Sequence, residues 1–297
     1  MVAVMSLKNQ LHASCLAIVV TGVLTGVLTG CVSPVSQMQT ARTLPPKKVR
    51  VHAGASVPIS SRFAVELVDA VELATDRLRD ARDADRPLTE EEQRQAIESA
   101  AAILLLQPAV VPEFGMRIGV FDHVDVGLQS AGPTFRLDAK WHAVDMPGKG
   151  HAALQAAYTH HTGIGASIAG SVFDLFESLK LVEYSRKDLE LALLASTEDQ
   201  GRNMSFYGGL RYFLGMPRIE SLLAAGIETQ TGMPLVSTET DIHEIGATAG
   251  IRVGTKRVAL MAELTVLWMV FAPEIFGEES DLGGLIIAPG VGAAFNF

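Results

Sequence analysis

The feature that most constrains this chain is a two-residue alternation of polarity through its C-terminal part, residues 244–297. In 257–270 every even-numbered residue is apolar, whereas Glu263 and Thr265 fall on the opposite side. Successive side chains of a strand point to opposite faces of its sheet, so a period of two predicts a β-strand. The stretch 244–253 alternates in the same way. Long strands, each with one wholly apolar face, are therefore expected here.

Strands that are apolar on one face and polar or glycine on the other suit a closed barrel whose outer surface meets lipid. The alternation recurs upstream, most clearly in 135–143, where Phe135, Leu137 and Trp141 share one face. Counting such stretches predicts about 12 strands, whose connections alternate between short and long. The short connections centre on residues 122, 148, 187, 216 and 255.

This pattern resembles the outer-membrane β-barrels of Gram-negative bacteria, over residues 48–59 and 113–297. The terminal Phe297 is similar to the signal by which the outer-membrane assembly machinery recognises its barrels. The resemblance implies an all-β fold, an antiparallel transmembrane β-barrel over 48–297. It also implies that outer-membrane lipid and the assembly machinery are partners.

The residues between 60 and 107 interrupt the strand pattern. Phe63, Leu67 and Val71 recur at helical spacing, and this period of about 3.6 residues predicts an amphipathic helix. Thr89, with Glu92 three residues later, forms a capping box that opens a second helix. An α-helical hairpin inserted after strand 1 is therefore expected, in or over the mouth of the barrel.

The N-terminus carries an apolar run that ends in Leu28-Thr29-Gly30-Cys31. This motif resembles the lipobox of bacterial lipoproteins. The resemblance implies that residues 1–30 are a signal peptide and that Cys31 is acylated, with palmitate among its acyl chains. Residues 31–47 would then be a lipidated tether from the periplasmic leaflet to strand 1, and Val32 favours outer-membrane sorting. An ordinary secretory signal cut nearby is the alternative.

Composition excludes several classes of protein. The chain has a charged fraction of 19% and no run of about 18 apolar residues after residue 30, so no mature transmembrane helix is expected. Removing residues 1–30 removes one lysine and no acid, which takes the net charge from −9 to −10. This acidic balance argues against nucleic acid as a partner. Only Cys31 remains after cleavage, so no disulfide and no cysteine metal site are expected.

Charges of both signs fall on the face opposite the apolar stripe and are expected to line the lumen. They either sit in a water-filled channel or pair across the interior and lock it. The leading hypothesis is a porin-like channel or transporter for an unidentified small solute. The alternatives are a non-conducting structural or surface-interaction barrel, and a periplasmic lipid-anchored ligand-binding β-protein, which would need the opposite polarity. The candidate lumen residues are Arg50, Arg117, Asp125, Arg136, Asp138, Lys140, Glu244, Arg252 and Glu263.

Histidines are the obvious candidates for catalysis or metal binding. No local motif of a known hydrolase surrounds His142 or His243, and the adjacent His160 and His161 would point to opposite faces of a strand. The glycines of 162–170 lack the spacing of a dinucleotide-binding loop. No enzyme activity, catalytic residue, metal site or cofactor is therefore expected.

Overall fold

The computed structural model describes residues 36–62, 65, 110–131, 134–146, 150–161, 181–197, 203–221, 240–275 and 278–297. No helix among these residues has the length and hydrophobicity to cross a membrane. The strands are β1 (Val49–Ser56), β2 (Ile59–Ser60), β3 (Val111–Phe121), β4 (Val124–Ala131), β5 (Thr134–Met146), β6 (Gly150–His161), β7 (Leu181–Thr197), β8 (Met204–Ser221), β9 (Ile242–Gly254), β10 (Val258–Val270), β11 (Glu274–Ile275), β12 (Glu278–Glu279) and β13 (Gly284–Asn296).

Ten of these strands form one closed antiparallel barrel. Each pairs with the next along the chain, from β1 and β3 through β10 to β13, and β13 pairs back onto β1. At this closing seam Gly54 of β1 lies directly opposite Gly292 of β13. The short β2 adds to β13, and β11 pairs with β12 outside the barrel. The predicted all-β antiparallel barrel is confirmed.

The barrel of the described residues has ten strands where about 12 were predicted. The difference arises because turns were predicted near residues 187 and 216. Both positions instead lie within long continuous strands, β7 and β8. Lys187 lies opposite Met216 in that ladder. Neighbouring Arg186 and Asp188 are buried inside the barrel. Charges and glycines that signal a turn in a soluble protein therefore belong here to the polar inner face of a continuous strand.

The predicted helical insertion, 60–107, falls almost wholly outside the described residues. Within it the structure describes only residues 60–62 and 65. The insertion and its place at the barrel mouth therefore remain predictions.

The outer surface of the barrel is apolar. In β10 the even-numbered side chains are exposed or half-exposed and the odd-numbered ones are buried. Trp141 and Trp268 are 53% and 56% exposed on this surface, and Leu264 is 47% exposed. So large a continuous apolar surface is unfavourable in water and is the surface expected of a barrel in lipid.

The two ends of the barrel differ in the length of their connections. One end, the short-turn end, also holds the start of β1 and the end of β13. The other, the long-loop end, holds all four of the long connections that join neighbouring barrel strands, together with the two-residue connection 132–133. In outer-membrane barrels short turns face the periplasm and long loops face outward. The short-turn connections are 122–123, 147–149, 198–203 and 255–257, and the long-loop connections are 57–110, 132–133, 162–180, 222–241 and 271–283.

Candidate functional site: the filled interior of the barrel

The structure places the nine candidate lumen residues on the inner face or at its rim. Arg50 and Arg252 are half-buried near the short-turn end. The Arg50 Nε donates to Asn296 Oδ1 at 2.7 Å. The other seven are at most 6% exposed: Arg117, Asp125, Arg136, Asp138, Lys140, Glu244 and Glu263.

One ionic network centres on Arg117, whose guanidinium pairs with both Asp125 and Asp138. The Lys140 Nζ lies 3.6 Å from the second oxygen of Asp125. A glycine makes room for this cluster, because a Cβ at Gly127 would stand 2.7 Å from both Arg117 Nη2 and Asp138 Oδ2. Buried charges of opposite sign are therefore paired, as their desolvation requires.

A second ionic network crosses β7. The Glu190 carboxylate pairs with Arg136 Nη2 at 2.8 Å and with Arg211 Nε at 2.9 Å. Further along the strand, Arg186 pairs with Asp188 at 2.5 Å and with Glu244 at 2.7 Å. Sequence reasoning assigned residues 186–188 to a turn and missed these contacts. The signal was present, since 186, 188 and 190 continue one polar alternation.

The interior also holds part of the chain itself, residues 36–44, called here the N-terminal segment. Residues 36–41 and Leu44 are at most 7% exposed. Because 36–44 belongs to the region predicted as a tether, 31–47, it was expected to lie outside the barrel. The structure instead places it in the lumen, with β1 beginning where it leaves.

Hydrogen bonds follow the N-terminal segment along the barrel. Ser36 Oγ donates to Glu113 at 2.6 Å, and Glu113 lies two residues inside the long-loop end of β3. The Leu44 backbone N–H donates to Asp125 at 3.0 Å, and Asp125 lies at the short-turn end of β4. The segment therefore enters from the long-loop end and leaves at the short-turn end. There Lys47 N–H donates to Gly119 O at 2.9 Å, and the chain turns back as β1.

Glu263 holds the first residues of the segment by hydrogen bonds. The backbone N–H groups of Gln37 and Met38 donate to its two carboxylate oxygens at 2.6 and 2.7 Å. Tyr207 O–H donates to the same carboxylate at 3.1 Å. Hydrogen bonds to an ionised acceptor are about twice as strong as neutral ones. Glu263 therefore fixes the segment through its backbone.

Met38 fills a recess that glycines leave in the wall. A Cβ on Gly54 would stand 2.5 Å from Met38 Sδ, and one on Gly292 would be no farther away. Met38 also packs in one buried cluster with Tyr207 and Met261. Small residues at the seam therefore accommodate one large side chain of the segment.

Little space remains around residues 37–39 of the segment. The cavity between Gln37, Met38 and the wall has a volume of about 10 Å³, which is room for about one water molecule. A cavity of about 1090 Å³ opens instead at the short-turn end, beside Thr40 and Arg42. In the described interior, the segment and the ionic networks thus fill the centre and leave the short-turn mouth wide.

No family model and no curated protein matches this chain. Among solved structures it is similar to Neisserial surface protein A, at 9% identity over 84% of this chain and 96% of that one, with a TM-score of 0.34. The translocator domain of the autotransporter NalP from Neisseria meningitidis is 10% identical over 98% of both chains, with a TM-score of 0.38. Ail, the attachment invasion locus protein of Yersinia pestis, is 8% identical over 86% of this chain and 100% of that one, with a TM-score of 0.32.

These similarities extend to the barrel fold alone. Two features of the structure indicate a membrane barrel: the closed sheet and the apolar outer surface. A sheet that spans a membrane must pair its backbone N–H and C=O groups internally and face lipid with apolar side chains. The chain forms a closed β-barrel with a lipid-facing outer surface, whose lumen, within the described residues, is occupied by its own N-terminal segment.

Proposed function

We propose that this protein is a closed outer-membrane barrel that carries its N-terminal segment through its own lumen, and presents the preceding chain at the long-loop end. The observation that supports this proposal is the burial of residues 36–41 and their hydrogen bonds to the wall. The function is then one of anchoring and surface presentation, and not of solute passage.

Sidedness follows from the direction of the segment. Ser36 lies beside Glu113 at the long-loop end, and Cys31 precedes it by five residues. Five residues span at most about 18 Å. With long loops facing outward, an acyl group on Cys31 would reach the external leaflet. Lipidation itself rests on the lipobox resemblance, and the proposal reverses the periplasmic anchor that the sequence suggested.

A gated channel is the second candidate. The segment is held largely by hydrogen bonds to charged or polar side chains, among them Glu263, Gln155 and Lys140. Such contacts exchange readily with water once the segment leaves, and the vacated wall would be polar. The cavity at the short-turn end already gives water access from that side. In this reading the chain conducts only after the segment is displaced.

Cysteine labelling in intact cells tests the topology. Ser33→Cys should react with a membrane-impermeant maleimide without permeabilisation, because it would lie outside the long-loop end. Asp281→Cys is the matched external control, since it is exposed in the connection between β10 and β13. Lys256→Cys, exposed in the short turn after β9, should react only after permeabilisation.

The three variants separate the possible failures. Labelling of Ser33→Cys only after permeabilisation, with Asp281→Cys labelled in intact cells, would refute the threading. Reversal of both controls would instead refute the assumed orientation of the barrel.

A further inference from the structure

Three histidines and one aspartate meet at the short-turn end. His123 lies in the turn between β3 and β4, His142 and Asp145 lie near the end of β5, and His151 follows at the start of β6. His151 Nδ1 lies 2.7 Å from Asp145 Oδ1, and His142 Nε2 lies 3.2 Å from the same oxygen. The coordinating atoms of His142, Asp145 and His151 all lie within 4.8 Å of one another.

A β-bulge brings two of these residues together. Residues 142 and 145 would point to opposite faces of a regular strand. The register between β5 and β6 shifts between His142 and Val144, however, which inserts one extra residue on β5. Beyond the bulge Asp145 lies opposite His151. Bulges re-aim side chains in this way and are common beside functional sites.

His142, which lies between His123 and Asp145, is already oriented for coordination. His142 Nδ1 lies 3.2 Å from His123 Nδ1, and the two rings stack with centroids 5.4 Å apart. If His142 donates in that contact, the neutral ring presents a lone pair on Nε2. His142 is only 7% exposed, and its Nε2 lies 3.2 Å from Asp145 Oδ1 without the geometry of a hydrogen bond. This nitrogen therefore faces the Asp145 carboxylate across a distance that a shared metal ion would bridge.

We propose that His142, Asp145 and His151 bind a divalent transition-metal ion of the Zn²⁺ class, with His123 as the hydrogen-bond partner that fixes His142. Imidazole nitrogens with one carboxylate are a ligand set that Zn²⁺ accepts at about 2.0–2.2 Å. Tetrahedral coordination at that length places ligand atoms about 3.4 Å apart, near the 3.2 Å found between His142 and Asp145. His151 Nδ1 lies 2.7 Å from the same Asp145 oxygen, closer than two ligands of one ion, so metal binding requires the Asp145 side chain to move; that side chain is 56% exposed. His151 lines the cavity at the short-turn end, whose water would supply the fourth ligand.

Metal titration of the purified, folded full chain in detergent tests the site, after removal of metals with a chelator. With Zn²⁺ alone we expect one equivalent bound per chain, and with Co²⁺ alone the visible absorption bands of a tetrahedral complex. Asp145→Asn should weaken Zn²⁺ binding at least 10-fold. His123→Phe should weaken it about 10- to 100-fold, as loss of an outer hydrogen-bond partner does.

His243→Ala is the matched control. His243 is an exposed histidine at the start of β9, where it stacks on Tyr212 at the long-loop end, so its loss should leave Zn²⁺ binding unchanged. Heat-modifiable migration on a gel establishes that each variant is folded. Because the Asp145 side chain is largely exposed, Asp145→Asn should fold, and its affinity for Zn²⁺ decides the matter. Absence of binding by the wild-type chain, or equal loss in Asp145→Asn and His243→Ala, would overturn the proposal.

Discussion

Glu263→Gln is the substitution that should loosen the N-terminal segment with the least change in shape. In the native barrel two consecutive backbone N–H groups, of Gln37 and Met38, donate to the Glu263 carboxylate. A glutamine amide keeps one acceptor oxygen but turns an NH2 group toward the other N–H. One charge-assisted hydrogen bond is lost outright and the remaining one becomes neutral.

The magnitude follows from typical values for such bonds. A hydrogen bond to a charged group contributes about 1.5–3 kcal/mol, and a buried donor left without an acceptor costs about 1–3 kcal/mol. The free energy that holds the segment in the lumen should therefore fall by about 2–4 kcal/mol. At 1.4 kcal/mol for each factor of ten, the undocked fraction should rise about 30- to 1000-fold.

Planar-bilayer recording measures this change directly. Wild-type barrels should remain closed, and Glu263→Gln should show more frequent or longer conducting events. Glu244→Gln is the matched control, because Glu244 is an equally buried carboxylate on the neighbouring strand and pairs with Arg186. Its conductance should stay at the wild-type level. The reasoning is refuted if Glu263→Gln and a variant lacking residues 36–44 both fold and both stay as closed as wild type.

Three further predictions concern the recess, the lipid face and the anchor. Gly292→Leu should destabilise the barrel by about 1–3 kcal/mol in urea unfolding, as overpacking does, and Met38→Ala should restore part of the loss; equal losses with and without Met38→Ala would contradict the recess. Leu264→Arg, in the middle of β10, should cost about 2–4 kcal/mol against about 0–1 kcal/mol for Val258→Arg near its end, measured by unfolding from vesicles. Similar costs for the two would mean that this face does not meet lipid. Radioactive palmitate should label the wild type and not Cys31→Ser, and label persisting in that variant would exclude the proposed anchor.

The sequence predicted the class of fold because covalent geometry enforces it. Successive side chains of a strand point to opposite faces, so a barrel strand in lipid must carry an apolar residue at every second position, as 257–270 does. The number of strands was harder to predict. A charged stretch such as Arg186-Lys187-Asp188 is equally typical of a turn and of a strand on a polar inner wall. Only the pairing of β7 with β8 distinguishes the two.

The N-terminal segment could not be predicted from local pattern. Its Ser, Gln and Thr residues have no period, and its partners lie far away in sequence, such as Glu263, 226 residues from Gln37. The histidine cluster was missed for a related reason. It draws on a turn, a bulged strand and the next strand, so no spacing along the chain reveals it.

The closing seam of the barrel sets an order of events during biogenesis. Gly54 and Gly292, which accommodate Met38, face each other across the ladder that joins the first barrel strand to the last. β13 follows the other barrel strands along the chain, and until it pairs with β1 the recess for Met38 does not exist. Once β1 and β13 have paired, the closed sheet surrounds residues 36–44, which can no longer leave between two strands. Sideways entry of the segment is therefore possible only before the ring is complete, and afterwards the segment can enter or leave only lengthwise through a mouth of the barrel.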